Sequence, residues 1–382
     1  MALTNFGNLT TEQKAVWSRQ LWSQVRNYSF LEKFMGTDTN SVIQRITELT
    51  PTERGDRAII TLVADITGDG VVGDKTLEGN EAPINAYDAT IKVDQMRNAS
   101  RHEGRMAHQK SVVTFRDQAK DKIAYWLADR RDQLAFLTLS GVAYTKTNRG
   151  GTRAVLGGGV AGLNFSELEY AADVVAPSAG RHFYWDGTGG GLLAGNTAAV
   201  AAGDTISYAT IVHLKQIAKD TGLRGVKQKE GMEEQFHLFM TPTDMRNLEL
   251  DADFLANQRN AGARGESNRL FKGGSSVHVN GVWCHEYRHV YNTVDGTSGT
   301  DMWGAGANLA GSRMLFCGAQ AMGIADITMP NWEEEGFDYQ NQQGVAVDMI
   351  TGMLKPQFKT PYIGGGAVIQ DHGVICCDVT HA

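Results

Sequence analysis

Residues 111–141, SVVTFRDQAKDKIAYWLADRRDQLAFLTLSG, decide the fold. Neither Gly nor Pro interrupts this segment before Gly141, and a glycine is common just beyond the end of a helix. The pattern predicts one helix of about 25 residues and about 37 Å, which is long for a compact domain. Arg130 is interpreted as its one charged interruption, and the apolar residues at helical spacing are Ala119, Ile123, Leu127, Leu134 and Leu137.

The chain before this helix begins with a second helical pattern. Residues 10–35 predict an amphipathic helix followed by an arm, and Trp17 and Trp22 lie beside its apolar positions. Two large aromatic side chains need a surface that covers them. This surface is predicted, with equal weight, to be the core of the same chain or a neighbouring molecule.

A hairpin with a long tip is predicted between the two helices. The sequences of residues 56–66 and 89–96 alternate apolar and polar side chains with the period of a strand. Between them lies GDGVVGDKTLEGNEAPIN, residues 68–85, which is too polar and too rich in glycine for a regular element. The hairpin therefore projects beyond the body of the protein, although an enzyme lid would have the same pattern.

The rest of the chain mixes helices and strands, which predicts an α+β protein. Residues 142–204 are rich in Gly, Ala, Thr and Ser, and they are predicted to be loops with one short helix at 166–173. Residues 319–325 are ambiguous. Other predicted elements are strands at 41–49, 236–240, 277–290 and near 313–317, helices at 205–220 and from Thr241, and a strand-rich tail at 344–379.

Composition excludes several classes of protein. The 382 residues include 36 Lys and Arg against 43 Asp and Glu, so the net charge of -7 argues against a dedicated nucleic-acid binder. No apolar run is long enough to cross a membrane, and the N-terminal residues do not form a signal peptide. The 44 glycines predict long loops. Four cysteines without CxxC spacing predict reduced, buried thiols; they are Cys284, Cys317, Cys376 and Cys377.

One short motif suggests a metalloenzyme. Residues 285–289 read HEYRH and match the HExxH pattern, in which two histidines on one helical face bind zinc. Here the alternation of Val277, Val279, Val282 and Cys284 and an Asn-Gly turn predict two strands instead. The two histidines of a strand would lie about 13 Å apart. Polar side chains of a solvated strand are therefore favoured over a metal site.

A second motif suggests a dinucleotide site. Residues 68–73 read GDGVVG, a literal GxGxxG after a strand, but the sequence that follows predicts turns and not the helix whose N-terminus would hold a pyrophosphate. The acidic run at 333–335 is interpreted as a solvated face. No GxSxG or Walker A sequence occurs. The sequence therefore predicts no catalytic residue, cofactor or metal.

The order of parts resembles that of the major capsid proteins of tailed bacteriophages, whose fold is shared with encapsulins and the floor of the herpesvirus capsid. The arm, the long hairpin, the long helix, a central domain and a strand-rich tail follow one another in that order. Six strings are similar to the branch typified by Schitoviridae, over about residues 10–380. They are residues 77–81 (LEGNE), 139–141 (LSG), 241–248 (TPTDMRNL), 318–321 (GAQA), 337–339 (FDY) and 352–356 (GMLKP).

The resemblance implies a division of the chain into named parts. It implies an N-terminal arm at 1–36, a peripheral domain that begins at 37–65, and an extended loop at 66–97. The peripheral domain continues at 98–205 with a spine helix at 112–139. An axial domain follows at 206–325, and residues 326–382 return to the peripheral domain. The poorly matching stretch 176–204 is interpreted as an insertion.

The resemblance also implies a function. The chain would form hexamers and pentamers of an icosahedral shell around double-stranded DNA, without sequence-specific DNA binding, in a virion assembled in the host cytoplasm. Scaffolding, portal and decoration proteins would be further partners. A metalloenzyme and an encapsulin-like compartment are the alternatives. Contacts between subunits are predicted at Trp17, Trp22, Lys75, Glu78, Asn80, Glu81, Arg97 and Arg101.

Overall fold

The computed structural model describes residues 11–46, 57–63, 70–81, 84, 86–110, 115–154, 164–227, 233–260, 276–327, 329–360 and 368–381. Within these ranges the chain forms two large sheets, two small two-stranded sheets and a set of helices. None of the helices in the described part of the chain is both long enough and apolar enough to cross a membrane.

Most helices occupy predicted regions with shifted ends, and the short helix at Arg105–Lys110 had not been predicted. The helix at Pro242–Leu250 begins as predicted, because the Thr241 side chain accepts a hydrogen bond from the Asp244 backbone N–H and Pro242 takes the first helical position. The first helix ends at Tyr28, and a 3₁₀ turn at Leu31–Phe34 follows it. The helices are α1 Thr11–Tyr28, α2 Arg105–Lys110, α3 Phe115–Ser140, α4 Tyr208–Asp220, α5 Pro242–Leu250 and α6 Ala252–Asn260.

The predicted long helix is confirmed as α3, which has 26 residues. Its predicted first residues, 111–114, lie outside the described part of the chain. The helix ends at Ser140 because Gly141 has a φ of +65°, and a side chain there would also collide with the Val175 carbonyl oxygen.

The charged positions of α3 differ from the prediction. Arg130 is only half-buried, so it does not interrupt the apolar stripe. Arg131 and Asp132 are fully buried instead. They lie four residues after Leu127 and Ala128, so they belong to the same buried face of the helix.

Seventeen strands lie in the described ranges. They are β1 Met35–Gly36, β2 Ile43–Ile46, β3 Arg57–Val63, β4 Ala86–Lys92, β5 Asp94–Arg101, β6 His182–Asp186, β7 Gly191–Ala194, β8 Phe236–Met240, β9 Ser276–Val279, β10 Val282–Glu286, β11 Gly311–Cys317, β12 Met322–Asp326, β13 Asn331–Phe337, β14 Gln342–Leu354, β15 Gln357–Lys359, β16 Ile369–Asp371 and β17 Val374–Thr380.

Two sheets organise these strands. The first has the order β1-β2-β12-β14-β13, and β5 pairs with the other edge of β14. The second has the order β7-β6-β17-β11-β8-β10-β9, so the last strand of the chain lies near the middle of the sheet. The small sheets are the β3–β4 hairpin and the β15–β16 pair.

Several strand predictions need correction. The single strand predicted at 89–96 is two strands, β4 and β5, which pair with different partners, β3 and β14. The ambiguous residues 319–325 contain β12, and β13 had not been predicted. The predicted turn at Asn280 and Gly281 is confirmed, because both residues have positive φ values, 47° and 81°.

The prediction of loops throughout residues 142–204 is wrong for one hairpin. The strands β6 and β7 pair with each other, and β6 also pairs in parallel with β17. Trp185 of β6 is 4% exposed and belongs to the core of the second sheet. The predicted helix at 166–173 is a pair of 3₁₀ turns at Phe165–Glu167 and Glu169–Asp173. The glycine-rich composition of this region hid the hairpin, because strands this short carry too few residues for a periodic signal.

The two sheets do not follow continuous stretches of the sequence. The second sheet takes β6 and β7 from segment 98–205, four strands from segment 206–325 and β17 from segment 326–382. Strand β12 of segment 206–325 belongs to the first sheet. Strands from different predicted segments therefore pair in the same sheet, on both sides of the boundaries at 205 and 325. The division into peripheral and axial domains stays a prediction.

Helix α3 connects the cores of both sheets. Its buried residues cluster with Val345 and Val347 of the first sheet and with Leu315 and Cys376 of the second. The other face of the second sheet, including Phe316 of β11, packs against α4 and α5 in a separate core. The second sheet is therefore covered on both faces, and this explains why β11 and β17 are buried at every residue.

We expect Leu127→Asp to prevent folding. The Leu127 side chain is completely buried in the core that α3 shares with both sheets, and an unpaired carboxylate there costs several kcal/mol. Lys122→Asp, at an exposed position of the same helix, is the control. The measurement is the soluble fraction and the melting curve of each variant. A soluble Leu127→Asp protein that melts like the parent would contradict the buried position of this residue.

Candidate inter-subunit surfaces

The β3–β4 hairpin is anchored at its base and exposed at its tip. Ala58, Ile60 and Ile91 are buried beneath it in a small core with Phe358. At the tip, Val72 and Leu77 are 75% and 61% exposed. The hairpin predicted at 66–97 therefore has a base that serves its own chain and a tip that contributes little to the core.

The tip contains four of the predicted contact residues, Lys75, Glu78, Asn80 and Glu81. All four are exposed. Their hydrogen bonds are local, since Asn80 donates to the Thr76 carbonyl oxygen at 3.0 Å and the Gly79 N–H donates to Glu81 at 2.9 Å. These turns hold the shape of the tip and leave its side chains accessible.

The two tryptophans of α1 pack against their own chain. The Trp17 ring stacks on Trp332 with centroids 5.6 Å apart, and the guanidinium groups of Arg45 and Arg131 lie within 5.5 Å of the Trp22 ring centroid. Both rings are half-buried. The chain's own core thus covers much of both side chains, and a contact of their exposed edges with a neighbour stays a prediction.

A buried carboxylate fastens the segment after α1 to α3. Asp132 accepts hydrogen bonds from the Ser29 hydroxyl at 2.7 Å, the Phe30 N–H at 2.8 Å and the Tyr287 hydroxyl at 2.7 Å. Burial raises the pKa of Asp132, and the three hydrogen bonds oppose that rise. One side chain therefore joins the N-terminal segment, the long helix and the loop after β10.

A second buried charge joins the N-terminal segment to the first sheet. Arg131 is fully buried and forms an ion pair with Asp326 at the end of β12. Arg45 of β2 donates to the same carboxylate at 2.9 Å, and Glu32 lies 3.6 Å from Arg131. The paired charges compensate one another, which is required when such groups are removed from water.

The strands β5, β14 and β13 form a charged outer face. Their paired residues put arginines on one edge strand, small residues in the middle and glutamates on the other edge strand. A groove of about 520 Å³ lies on this face. The alternate residues, such as Val345 and Val347, face the core. The residues of the outer face that line the groove are Arg97, Ala99, Arg101, Glu333, Glu335, Phe337, Gly344 and Ala346.

The turn between β13 and β14 has an unusual backbone. Asp338, Tyr339 and Gln340 have φ values of 51°, 53° and 69°, in the left-handed region that costs L-residues about 1–2 kcal/mol each. Asn341 holds the turn, because its N–H donates to the Asp338 carbonyl oxygen at 2.9 Å and its side-chain amide donates to the Asp338 carboxylate at 3.1 Å. Tyr339 at the apex is completely exposed.

The HExxH sequence does not form a helix. His285 lies in β10 and His289 follows that strand. The interpretation of both as solvated side chains is wrong, because they are half-buried. His285 Nε2 lies 3.0 Å from His237 Nδ1, whereas His289 Nε2 lies 2.7 Å from an Asp129 carboxylate oxygen. The described residues contain no cluster of three side chains suited to a metal ion.

The other sequence motifs have structural explanations. Gly70 and Gly73 have positive φ values in the turns of the hairpin tip, and Gly68 and Asp69 lie outside the described residues. The described part of this loop, at 70–81 and 84, contains turns and no helix. All four cysteines are buried free thiols, as predicted.

Comparison with known proteins decides the family. The sequence profile described as phage capsid protein matches residues 5–382. The major capsid protein of Pseudomonas phage KPP25 is 52% identical over 373 residues, which are 97% of this chain and 96% of that protein. The chain belongs to the phage capsid protein family.

Solved capsids have the same fold as this family member. The capsid of Ralstonia phage GP4 matches with a TM-score of 0.73 and 26% identity, over 100% of this chain and 96% of that one. The capsid asymmetric unit of cyanophage Pam1 matches with a TM-score of 0.69 and 19% identity, over 100% of this chain and 96% of that one. The predicted α+β capsid fold and the predicted structural role in a phage capsid are confirmed, and the metalloenzyme alternative has no support.

The structure places the predicted contact residues of this capsid protein in three separate regions. Trp17 and Trp22 lie on α1, the four loop residues lie at the hairpin tip, and Arg97 and Arg101 line the groove of the outer face. The sequence prediction missed the Tyr339 turn and the buried Asp132. The string FDY at 337–339 had been noted only as part of the family resemblance, and the spacing of Asp132 four residues after Ala128 was the signal that could have placed it on the buried face.

We expect Asp132→Asn to destabilise the capsid subunit by about 1–3 kcal/mol. The carboxylate accepts three hydrogen bonds, whereas the amide NH₂ of Asn would face at least one of the same donors. The measurement is the midpoint of denaturant unfolding of the unassembled chain. Asp88→Asn, at an exposed position of β4, is the control and should leave the midpoint unchanged. Equal midpoints for both variants would rule out the anchoring role.

We expect the unassembled subunit to lose stability between about pH 6.5 and pH 4 through His237 and His285. Burial lowers the pKa of His237 to about 4, and burial together with the charges of His237 and Lys33 lowers that of His285 to about 4. The unfolded chain binds protons below its higher, ordinary histidine pKa while the folded chain does not, so acid favours unfolding.

The measurement is the unfolding free energy of the parent, His285→Gln and His278→Gln from pH 7 to pH 4. The first variant removes one of the buried titrating groups and should show a shallower decline with falling pH. His278 is exposed, so the second variant should follow the parent. If the unfolding free energy of His285→Gln fell with pH as steeply as that of the parent, His285 would not be a source of the acid sensitivity.

Proposed function

We propose that this chain is the shell-forming subunit of a phage virion, which assembles with copies of itself into hexamers and pentamers of an icosahedral capsid. The 52% identity with the major capsid protein of a Pseudomonas phage, over nearly the full length of both chains, carries the proposal. The likeness to the capsid of Ralstonia phage GP4 supports it at the level of the complete fold.

The shape of the subunit supports self-assembly. The hairpin tip exposes Val72, Leu77 and Ile84, at least 61% each, while the base of the hairpin is buried. A projecting segment with exposed apolar side chains buries surface when it lies on a neighbour. We propose that the tip, with Lys75, Glu78, Asn80 and Glu81, contacts an adjacent subunit.

The charge of the chain supports a shell that encloses double-stranded DNA without binding it by sequence. Phosphate binding requires Lys and Arg, and here 43 acidic residues exceed 36 basic ones. An acidic balance limits adhesion of packaged DNA to the inner wall. Scaffolding, portal and decoration proteins are proposed as further partners, and the host cytoplasm is proposed as the place of assembly.

A structural role is favoured over catalysis. The HEYRH motif lies at the end of β10 and in the residues after it, where His285 contacts His237 and His289 contacts Asp129. An encapsulin-like compartment would have the same fold but enclose protein cargo. The nucleic acid content of purified particles distinguishes a DNA-filled capsid from such a compartment.

We expect the purified full-length protein to form regular closed shells in electron microscopy, and shells from infected cells to contain DNA. Removal of the hairpin tip, with residues 67–85 replaced by a short Gly-Ser turn, should abolish shells and leave a cooperatively melting subunit. The tip buries few apolar groups in its own chain, so its loss removes little folding free energy.

Sedimentation velocity of parent and truncated protein under the same assembly conditions is the measurement. A variant that keeps the loop length but replaces Val72, Leu77 and Ile84 by serine is the matched control, because it separates the reach of the loop from its apolar contacts. Equal yields of closed shells from parent and truncated protein would exclude an assembly role for the tip.

A further inference from the structure

The exposed side of α1 carries a surplus of positive charge. Residues 16–28, the part of α1 whose side chains the structure describes, include two arginines and no acidic residue. Arg19 and Arg26 are both exposed, and Arg19 forms no ion pair with the residues that the structure describes. The chain as a whole has a net charge of -7, so a local excess of exposed arginine indicates a surface for an anionic partner.

An open groove of about 520 Å³ lies along this side of the helix and is called the α1 groove below. Four of its polar side chains follow the helical spacing i, i+4, i+7 and i+8, so their hydrogen-bond donors lie on one face of α1. Guanidinium, hydroxyl and amide groups are the side-chain donors that contact phosphate oxygens in complexes with DNA. The four side chains are Arg19, Ser23, Arg26 and Asn27.

Further positive charge lies beneath the α1 groove. The guanidinium groups of Arg45 and Arg131 lie 5.5 and 5.4 Å from the centroid of the Trp22 ring, which lines the groove. Glu32 also lines the groove, but Arg45 and Arg131 lie 3.7 and 3.6 Å from its carboxylate and compensate its charge. Among the described residues at and beneath the groove, four guanidinium groups therefore outnumber the two carboxylates of Glu32 and Asp326.

The two sides of the first sheet differ in charge. Helices α1 and α3 cover one side, where the Trp17 ring stacks on Trp332 of β13. Over residues 16–28 and 115–140 these helices contain seven basic and four acidic residues. The outer face of the sheet instead carries two arginines of β5 and three carboxylates of β13 and β14. Of the two sides, the helix side has the positive surplus that phosphate groups require.

We propose that the α1 groove contacts the phosphate backbone of the enclosed double-stranded DNA through Arg19 and Arg26. This inference rests on the proposed shell function and deepens it, because it assigns the helix side of the first sheet to the interior of the shell. A contact with the backbone carries no sequence specificity. The acidic balance of the whole chain limits adhesion elsewhere, so the DNA touches the wall at one repeated position in each subunit.

The first test is the salt dependence of binding between the unassembled full-length chain and a short labelled DNA duplex. Each phosphate contact adds about 0.9 to the slope of log K against log salt concentration, so Arg19→Gln with Arg26→Gln should lower the slope by about 1.8. Arg97→Gln with Arg101→Gln makes the same change of charge on the outer face and is the matched control. This control should keep the slope of the parent.

Two single variants separate the contact from effects on folding. Arg26 forms an ion pair with Glu32, so its loss affects the subunit itself. Arg19→Gln removes no described ion pair, and it should melt like the parent while it lowers the slope by about 0.9. Arg19→Lys keeps the charge and should bind the duplex like the parent.

Photocrosslinking in filled particles supplies a direct readout. The photoreactive residue p-benzoylphenylalanine, which bonds covalently to nearby C–H groups under ultraviolet light, replaces Ser23 in the α1 groove or Ala99 on the outer face. Both positions are exposed. Irradiation of DNA-filled particles should join DNA to the chain modified at Ser23 and not to the chain modified at Ala99, as measured by DNA that stays with the protein in denaturing gels.

The outcomes separate this inference from the proposed function. If the particles contain DNA but the Ser23 position gives no crosslink, or the Ala99 position gives the stronger one, the shell function stands and the α1 contact is wrong. An equal loss of slope in both double variants would show attraction by net charge alone, and a parent chain that does not bind the duplex at low salt would also overturn the contact. If the parent forms no shells, or its shells contain no DNA, the proposed function fails and the contact fails with it.

Discussion

The whole subunit depends on the burial of α3 on more than one side. The helix supplies residues to a core that includes strands of both large sheets, so neither sheet has a complete core without it. Two charged residues, Arg131 and Asp132, lie in this buried face. Their burial is tolerated because both have partners: Arg131 forms an ion pair with Asp326, and Asp132 accepts three hydrogen bonds.

These charged side chains also define how the N-terminal segment enters the fold. Hydrocarbon contacts at Leu21 and Val25 would hold α1 against the body in several alternative positions. Hydrogen bonds from Ser29 and Phe30 to Asp132 are directional and select one position. The segment that precedes β1 is therefore part of the folded subunit as far as residue 11, and not a free arm over the described residues.

The C-terminal strand closes the second sheet in a similar way. Strand β17 inserts between β6 and β11, and Arg313 of β11 pairs with Asp378 directly across the strands at 2.8 Å. His182 of β6 contacts the same carboxylate at 2.7 Å. Three distant parts of the chain thus meet at one buried charge. The hairpin tip and the Tyr339 turn lie outside this buried framework and are exposed.

The sequence by itself determined the local elements with strong periodicity and the family. The uninterrupted pattern of α3, the cap at Thr241 and the Asn280-Gly281 turn depend on neighbouring residues, so they are visible in the order of amino acids. The hairpin at residues 57–92 followed from two alternating segments with a glycine-rich tip between them, and six short strings in the right order indicated a capsid protein.

Only the tertiary structure decided which distant segments pair and which polar groups are buried. The paired strands β6 and β17 are almost two hundred residues apart in the sequence, and no local pattern specifies such a pairing. The burial of Arg131 and Asp132 was not predicted, because their partners come from the segment after α1, from β12 and from the loop after β10. The exposed Tyr339 turn and the groove beside it likewise exist only once β5, β14 and β13 are in register, since a surface is made by residues that the chain brings together in space.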